Sequence, residues 1–273
     1  MPELPEVETV KGKLRSKILN KKITNVKFLY EKILETPSVF AATNMMIGQS
    51  VVDVKRRGKW LTIILNEYAL LVHLRMEGKF IFRKIDDKIE KHEHVIIEFD
   101  DGISLRFQDV RKFAKMHLLS IDEYLNQPPL SELGMEPFDE NLTCDYLNNI
   151  FKTKKMPIKT ILLDQTIIAG IGNIYANEIL FLSKLHPLRI SNKLTKDEIA
   201  DIIKNTRNVL RSAIEKGGTT IRSYTSEEGV TGEFQHELFV HGNDKKPCPV
   251  CKTTIEKIRV GGRGTYYCSN CQK

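Results

Sequence analysis

Residues 248–271 read CPVCKTTIEKIRVGGRGTYYCSNC, and this stretch determines the fold of the last part of the chain. Two residues separate Cys248 from Cys251, two separate Cys268 from Cys271, and sixteen lie between the pairs. Four cysteines at this spacing are typical of a ribbon whose thiolates enclose one Zn2+ ion tetrahedrally. We therefore predict one structural zinc ion per chain, without which the ribbon unfolds. The alternative, two disulfides, is disfavoured by the cytoplasmic location predicted below.

The segment before the ribbon is predicted to be helical. Thr195 and Glu198 have the spacing of a capping box, and apolar residues then recur at helical spacing from Ile199. Gly217-Gly218 is predicted to end this helix after Lys216.

The motif Gly170-Ile171-Gly172-Asn173 precedes another apolar segment. Its Gly-x-Gly portion resembles a dinucleotide-binding loop, but no βαβ unit surrounds it and the third glycine is missing, so we reject a Rossmann site. We expect Asn173 to cap the helix that runs through Glu178 to Leu182, and exposed amides at the helix start to hold a phosphate. A plain helix cap without a ligand is the alternative for this motif taken alone.

The first half of the chain contains short runs that favour β-strands. These runs cover residues 60–65, 69–74, 79–83, 95–99 and 103–107. Asp100-Asp101-Gly102 joins the last two runs and predicts a hairpin. We expect a β-sandwich or barrel here, followed by a linker in the proline-bearing stretch 127–137.

The chain begins MPELPEVE, which is typical of a helix start. Pro5 suits a first-turn position, where no backbone donor is needed. An amphipathic helix is predicted to begin near Leu4, because apolar residues recur at three- and four-residue steps at Val7, Val10, Leu14 and Ile18.

Pro2 is a candidate nucleophile. A small second residue permits removal of the initiator methionine, which leaves Pro2 with a free secondary amine. An α-amino group titrates at about 7.7 to 8, against about 10.4 for a lysine, so more of it is unprotonated at neutral pH. Such an amine forms an iminium with a sugar aldehyde, and carboxylates at Glu3 and Glu6 are near enough in sequence to move protons. The alternative is an acidic first turn that only stabilises the helix.

The composition indicates a globular protein with a polyanionic partner. The 273 residues suffice for two domains of ordinary size, and Lys and Arg outnumber Asp and Glu by 42 to 35, which gives a net charge of +7. No apolar run is long enough to span a membrane, and the start lacks the regions of a signal peptide, so we expect a cytoplasmic location.

Further motifs occur between the N-terminus and the ribbon, namely Gly58-Lys59, His73-Leu74-Arg75-Met76, Asp109-Val110-Arg111-Lys112-Phe113 and the Gly170 motif. Together with PELPEVE and the four cysteines, this ordered set resembles the bacterial formamidopyrimidine-DNA glycosylases over nearly the whole length of the chain. The chain departs from that pattern at Ala114, where many relatives carry glycine, and at His241, where tyrosine is common.

The resemblance implies an α+β multi-domain fold. Residues 1–130 are expected to form a catalytic β-sandwich bearing the N-terminal helix, and residues 131–240 a helix-two-turn-helix DNA-binding domain. A loop at about 217–236 is expected to close over the damaged base, and residues 241–273 to form the zinc finger.

The resemblance also implies a monomeric glycosylase and abasic-site lyase of base excision repair, acting on double-stranded DNA that contains oxidised purines or abasic sites. By the family's mechanism the damaged nucleotide is flipped out of the duplex, Pro2 attacks the anomeric carbon and the base departs. The resulting iminium drives β- and δ-elimination.

Individual roles follow from the resemblance. Glu3 is expected to be the main proton donor and acceptor, with Glu6 as a supporting carboxylate. Contacts to the DNA phosphates, which position DNA without specifying a base, are expected from Lys59, Lys159, Asn173 and Arg263.

Met76, Arg111 and Phe113 resemble the trio that fills the space left by the flipped base. A thioether suits the vacated space, a guanidinium can bind the orphaned cytosine, and an aromatic ring can wedge the stack. The alternative is a Met and a Phe in a β-core with a surface arginine. His73 is expected to support the DNA-facing surface, or to be a histidine with a structural role only.

Two other functions stay open. The endonuclease VIII group shares the proline, the helices and the zinc finger but prefers oxidised pyrimidines; Leu4, where that group typically has glycine, and the Met-Arg-Phe trio argue against it. A non-catalytic zinc-ribbon DNA-binding protein, whose acidic N-terminus merely caps a helix, is the alternative from a different class.

Overall fold

The computed structural model describes residues 2–219 and 232–273. These residues form two compact units. Among the described residues, the first unit contains Pro2, Glu6–Glu132 and Gly232, and the second contains Glu3–Pro5, Leu133–Thr219 and Glu233–Lys273. No helix within these ranges is long and apolar enough to cross a membrane.

Helix α1 spans Leu4–Ile18, so the predicted start near Leu4 is confirmed. Its apolar positions Val7, Leu14 and Ile18 are buried in the core of the first unit. Leu4 instead belongs to the core of the second unit. The periodic apolar face that was visible in the sequence is therefore the face that is buried.

The first unit contains two β-sheets and a short helix. Its elements are β1 (Ile23–Phe28), β2 (Leu34–Thr36), α2 (Val39–Met46), β3 (Val51–Arg57), β4 (Trp60–Leu65), β5 (Tyr68–His73), β6 (Lys79–Lys84), β7 (Glu93–Phe99), β8 (Ile103–Gln108) and β9 (Lys115–Ser120). The sheets have strand orders β1-β7-β8-β6 and β2-β9-β5-β4-β3. All five predicted strands are confirmed within one or two residues.

Apolar side chains from both sheets share one core. Ile97 and Phe107 contribute from the four-stranded sheet, and Ile63 and Val72 from the five-stranded sheet. Two sheets over a common core are a sandwich, which resolves the predicted choice between sandwich and barrel. The predicted hairpin between β7 and β8 is present, and Gly102 at its turn has a φ of +81°, a conformation that glycine adopts without strain.

The register of the five-stranded sheet gathers three connections at one end. Trp60 pairs with both Arg57 and His73, and His73 pairs with Lys115. Because these strands are antiparallel, the β3-β4 turn, the segment after β5 and the segment before β9 all lie beyond the same end of the sheet. We call this edge of the first unit the turn end.

The second unit combines helices with a two-stranded ribbon. Its elements are α3 (Cys144–Thr153), α4 (Ile158–Leu162), α5 (Asn173–Leu182), α6 (Lys196–Glu215), β10 (Glu256–Val260) and β11 (Arg263–Tyr267). The predicted capping box is present, since the Glu198 N–H donates to Thr195 Oγ1 at 3.2 Å and the Thr195 N–H to Glu198 Oε2 at 2.8 Å. Gly217 and Gly218 follow α6 with φ of +71° and +80°, as predicted for a glycine stop.

Two predicted irregular segments have different outcomes. The proline-bearing stretch 127–137, predicted to be a linker, contains a short 3-10 helix over Leu130–Glu132 and an isolated bridge between Met135 and Ile168. The predicted loop at about 217–236 lies largely outside the described residues. Its described ends form an isolated bridge between Thr219 and Glu233, and a 3-10 helix spans Phe234–Glu237.

Candidate active site

Glu3 forms the N-terminal cap of a helix far along the chain. Its carboxylate accepts the N–H of Gly172 at 2.7 Å, that of Ile174 at 2.9 Å and that of Tyr175 at 3.4 Å. These groups belong to the start of α5, and Glu3 is 2% exposed. A buried carboxylate that accepts three N–H groups at the positive end of a helix is stabilised in its ionised form.

This arrangement corrects two predictions about the Gly170 motif. Asn173 is the first helical residue and not the cap. Gly172 occupies the cap position, and glycine has no side chain that could accept a hydrogen bond there. The amides expected to be exposed for a phosphate instead donate to Glu3. The sequence could not reveal this, because the carboxylate comes from the opposite end of the chain.

The two glycines of the motif make room for the N-terminus. A Cβ on Gly172 would lie 2.3 Å from Glu3 Cδ, and one on Gly170 would lie 2.5 Å from Leu4 Cδ1. Gly170 also has a φ of +93°, and its carbonyl accepts the N–H of Leu4 at 3.1 Å. The Gly-x-Gly portion is therefore required for close approach of residues 3 and 4.

Lys159 is fully buried beside the start of α5. Its ammonium donates to the carbonyl of Asn173 at 3.3 Å and to Oδ1 of Asn177. Burial lowers the pKa of Lys159 to about 7, against the opposing effect of the Glu3 and Glu178 charges. A lysine in this setting changes charge near neutral pH, which an exposed lysine does not.

Two neighbouring residues of α5 that sequence reasoning missed join this helix to the segment before the ribbon. Glu178 accepts the N–H groups of Phe239, Val240 and His241 at 2.7, 3.1 and 2.8 Å, and burial raises the pKa of its carboxyl group. Asn177 Nδ2 lies 2.7 Å from His241 Nδ1. Polar residues inside an apolar helical segment were the signal available in the sequence.

Asn173 and Arg263, both predicted to bind phosphate, are brought together. The Asn173 side-chain amide donates to the carbonyl of Gly264 at 3.0 Å, which fixes the start of α5 to the hairpin of β10 and β11. Arg263 directly precedes Gly264 and its side chain is exposed. An exposed guanidinium beside a fixed amide is suited to a phosphate ligand.

The four predicted zinc ligands converge in the second unit. The sulfur atoms of Cys248, Cys251, Cys268 and Cys271 all lie within 4.8 Å of one another, and none of these residues forms a disulfide. The separations of 3.9 Å between residues 248 and 271 and 3.4 Å between residues 251 and 268 compare with about 3.8 Å for tetrahedral Zn2+ with thiolates. The residues therefore fit one structural zinc ion, and the disulfide alternative is wrong.

In the first unit, Pro2 is buried just before α1, and Glu6 in the first turn of α1 is 6% exposed. Lys59 is also 6% exposed and lies at the turn end, between β3 and β4. Sequence reasoning did not single out Glu8 or Arg56, yet the Arg56 guanidinium donates to Glu8 Oε2 at 2.7 Å and to the Gly58 carbonyl at 3.1 Å. This ion pair connects α1 with the turn that carries Lys59.

His73 ends β5 and is 8% exposed. Its Nδ1 accepts the N–H of Arg75 at 3.0 Å. Its ring packs edge-on against the Trp60 ring, with 4.9 Å between the ring centroids. Burial, with smaller contributions from Arg75 and Lys59, lowers the pKa of His73 to about 3. The imidazole is therefore neutral at physiological pH, and it shapes the turn end by a hydrogen bond and by packing.

The three residues predicted to fill the space left by the flipped base also lie at the turn end. Met76 is half-buried in the turn after β5, and Arg111 and Phe113 lie in the segment before β9. Phe113 is 49% exposed, and the Arg111 guanidinium lies 4.7 Å from the centroid of its ring. The alternative in which Phe113 belongs to the β-core is thereby wrong.

Three family models match consecutive parts of the chain. The formamidopyrimidine-DNA glycosylase N-terminal domain matches residues 1–116, the formamidopyrimidine-DNA glycosylase H2TH domain matches residues 133–225, and the zinc finger found in FPG and IleRS matches residues 245–273. A formamidopyrimidine-DNA glycosylase of Bacillus anthracis is 45% identical, over 100% of this chain and 99% of that protein. The chain belongs to the formamidopyrimidine-DNA glycosylase family.

Other members of the family are similarly close. The formamidopyrimidine-DNA glycosylase of Oceanobacillus iheyensis is 44% identical, over 100% of this chain and 98% of that protein. The Lactococcus lactis FPG, solved with a FAPY-dG containing DNA, matches with a TM-score of 0.91 at 35% identity, covering 99% of this chain and 100% of that chain. MutM in complex with carbocyclic 8-oxo-G containing DNA matches with a TM-score of 0.93 at 36% identity, covering 100% of both chains.

Family membership confirms the resemblance, the α+β fold with its β-sandwich, helix-two-turn-helix and zinc finger, and the structural zinc. It also confirms the enzyme class. The chain is a DNA glycosylase for oxidised purines, and formamidopyrimidine-DNA glycosylases also carry abasic-site lyase activity. The non-catalytic alternative is therefore wrong.

Proposed function

We propose that this chain excises 8-oxoguanine and formamidopyrimidine bases from double-stranded DNA with Pro2 as the nucleophile, and then cleaves the strand by β- and δ-elimination. The observation that carries the proposal is the buried Glu3 carboxylate, fixed by the first amides of α5 and directly following Pro2 in the chain. Structures of family members with DNA containing Fapy-dG, an abasic site or carbocyclic 8-oxo-G support this choice of lesions.

Removal of Met1 would give Pro2 a secondary amine. Pro2 is buried, and it lies close to the start of α1. The positive end of the helix disfavours the positive charge of a protonated amine there. Both conditions favour the neutral amine, which is the form that attacks.

The reaction proceeds by exchange of bonds at one sugar carbon. The Pro2 nitrogen bonds to C1′ and gives its proton to the Glu3 carboxylate, while the glycosidic C1′–N bond breaks and the base leaves, taking a proton from water. Glu3 passes its proton to O4′ as the C1′–O4′ bond breaks and the sugar ring opens, so the nitrogen and C1′ form an iminium, which makes the C2′ proton acidic. The Glu3 carboxylate then removes that proton and the electron pair expels the 3′ phosphate. Loss of a second proton, from C4′, expels the 5′ phosphate, and water hydrolyses the C1′–N bond to free Pro2. Glu6, a buried carboxylate in the first turn of α1, supports these transfers.

The remaining predicted residues hold the DNA. In the second unit, Asn173, Arg263 and Lys159 would contact DNA phosphates. In the first unit, Lys59 would do so and His73 would support the DNA-facing surface. Met76, Arg111 and Phe113 would occupy the space left in the duplex. The net charge of +7 favours such a polyanionic partner.

We assign these tasks to three domains: residues 1–130 for catalysis, 131–240 for helix-two-turn-helix binding with the loop at about 217–236, and 241–273 for the zinc finger. We further propose that the protein acts as a monomer in the cytoplasm, where it has access to bacterial DNA.

Borohydride trapping tests the proposal. The full-length zinc protein is incubated with a duplex carrying 8-oxoguanine opposite cytosine, and with the same duplex carrying an oxidised pyrimidine instead. We expect a covalent adduct that peptide mass spectrometry places on Pro2 of a chain lacking Met1, formed preferentially with 8-oxoguanine. An adduct on another residue would refute the role of Pro2, and a preference for the pyrimidine would refute the proposed choice of lesions.

A matched variant tests Glu3. Glu3→Gln keeps the shape of the side chain and at least one acceptor, but it removes the base. We expect trapping and strand cleavage to fall by at least about a hundredfold, the typical effect of losing a positioned acid-base group. Wild-type rates in this variant would contradict the assignment of Glu3.

A further inference from the structure

The segment between β8 and β9 is organised by a single buried carboxylate. Asp109 is 1% exposed. Its Oδ1 accepts the N–H of Arg111 at 3.0 Å, and its Oδ2 accepts the N–H groups of Phe113 and Ala114 at 2.8 and 2.9 Å. One side chain therefore fixes the backbone at three of the five positions that follow it. We call residues 109–114 the wedge loop.

The backbone of Asp109 is itself attached to the neighbouring strand. Its N–H donates to the carbonyl of His92 at 3.1 Å, and its carbonyl lies 2.8 Å from Nε2 of His94, which donates to it. His94 belongs to β7 and is 6% exposed. The carboxylate is therefore held from the four-stranded sheet, and the wedge loop extends from that fixed point.

Apolar burial accounts only for the end of the wedge loop, where Ala114 is 1% exposed. Val110 and Phe113 are 55% and 49% exposed, and Arg111 is exposed as well. Lys112 has a φ of +57°, which is unfavourable for a residue with a side chain. A conformation that exposes apolar side chains and contains a left-handed lysine requires compensating interactions, and the hydrogen bonds to Asp109 provide them.

We propose that Asp109 is a positioning residue for lesion excision: its carboxylate holds the wedge loop so that Arg111 and Phe113 are already in place to enter the duplex. This inference rests on the proposed function of those two side chains. Preorganisation removes the entropic cost of ordering the loop when DNA binds, so its loss would slow the steps that need insertion.

Two substitutions test the role, with one control. Asp109→Asn replaces one accepting oxygen with an amide that must face N–H donors, and Asp109→Ala removes all three hydrogen bonds. Asp122→Asn makes the same change of charge at an exposed position of the first unit. Circular dichroism establishes that each purified zinc protein is folded.

Excision of 8-oxoguanine opposite cytosine is compared with cleavage of a single-stranded oligonucleotide that carries a preformed abasic site. The single strand has no partner base and no stack to enter, so Arg111 and Phe113 are not needed there. We expect both Asp109 variants to slow excision in the duplex by about tenfold or more, while cleavage of the single strand stays within about twofold of wild type. Asp122→Asn should match wild type in both assays.

A double-mutant cycle separates positioning from a merely structural role. If Asp109 acts through the wedge loop, Asp109→Asn should cause no further slowing in a chain that already carries Arg111→Ala and Phe113→Ala. The preference for cytosine over adenine opposite the lesion should also fall in Asp109→Asn, because Arg111 would no longer be held for the cytosine.

The outcomes that would overturn the inference are distinct. An equal loss on duplex and single strand, an equal loss in both backgrounds of the cycle, unchanged excision, or a failure of both variants to fold would each refute positioning by Asp109 and leave the proposed function intact. A wild-type protein without any excision would instead overturn the proposed function, and this inference with it.

Discussion

The Glu3 carboxylate oxygen Oε2 lies 2.7 Å from the backbone nitrogen of Gly172, although 169 positions separate the two residues in the chain. The same carboxylate that we propose as the catalytic base is therefore also the cap of α5. This structural task explains how a carboxylate is accommodated in a buried place, since three N–H groups and the positive end of the helix compensate it.

Gly172→Ala tests whether the space beside Gly172 is needed to hold the Glu3 carboxylate in place. The new Cβ would lie 2.3 Å from Glu3 Cδ, so the carboxylate must move from its place on α5. We expect excision of 8-oxoguanine to fall by at least about tenfold, because catalytic geometry tolerates little displacement. Gly12→Ala is the control, since Gly12 is exposed on α1 and its Cβ would meet nothing within 4 Å. Equal rates for both variants would show that the position of Glu3 is not critical.

Zinc removal should unfold the ribbon and release DNA. Cys251→Ser deletes one of the four ligands, and structural zinc contributes roughly 10 to 16 kcal/mol of apparent binding energy in comparable small sites. We expect one zinc per wild-type chain by elemental analysis, a large loss of zinc in this variant, and weaker binding to abasic duplex. Cys144→Ser, which changes a cysteine outside the cluster, should keep both properties. Full zinc content in Cys251→Ser would contradict the ligand assignment.

Glu178→Gln should weaken the connection between α5 and the segment before the ribbon. The glutamine amide group must replace an oxygen that accepts N–H groups of residues 239–241, which leaves at least one buried donor unpaired. We expect the free energy of unfolding to fall by about 1 to 3 kcal/mol in urea titrations. Glu215→Gln, an exposed change at the end of α6, should stay within about 0.5 kcal/mol of wild type. A larger loss in the control than in Glu178→Gln would oppose this account.

His73 should make the protein less stable at acidic pH. Burial lowers the pKa of His73 to about 3, so the folded protein excludes a proton that the unfolded chain binds below about pH 6.5. Its stabilising contribution is complete above the unfolded pKa and is lost as pH falls toward 3. The linkage slope is at most about 1.4 kcal/mol per pH unit between these values.

Urea titrations between pH 7 and pH 4.5 measure this effect. His73→Gln has no titrating group, so its stability should fall less over that range than the stability of wild type. His236→Gln, which changes an exposed histidine, serves as the control and should follow wild type. Parallel curves for His73→Gln and wild type would show that His73 is not the group responsible. His241, whose pKa burial lowers to about 4, contributes to the slope in both proteins.

Local patterns predicted much of the fold. The strand β4, the Gly102 hairpin, the Thr195 capping box and the start of α1 all depend on residues within a few positions of one another. The zinc ligands were also predictable, because the spacing of the two cysteine pairs specifies the site directly. Asp109 was visible within a motif but received no role, although an aspartate side chain commonly accepts the backbone N–H two residues on, as Asp109 does from Arg111.

The tertiary structure decided what local patterns could not. Asn173 has a residue type that suits a helix cap, yet Glu3 caps α5 and Asn173 bonds to Gly264 instead. Arg56 and Glu8 form an ion pair across 48 positions, and Lys159 meets Asn177 across 18. Such pairs depend on which strands and helices become neighbours, and a chain can satisfy the same local preferences with many different neighbours.

The sequence by itself determined the zinc ribbon, the amphipathic helix behind Pro2, the strands of the sandwich and the family to which their order belongs. These features follow from periodicity, turn chemistry and ligand spacing, which act over short distances along the chain. Only the tertiary structure decided that a glycine makes room for Glu3, that three turns meet at one end of a sheet, and that Asp109 holds the wedge loop. Those outcomes depend on the packing of residues far apart in sequence, where van der Waals contact and hydrogen-bond geometry leave one arrangement.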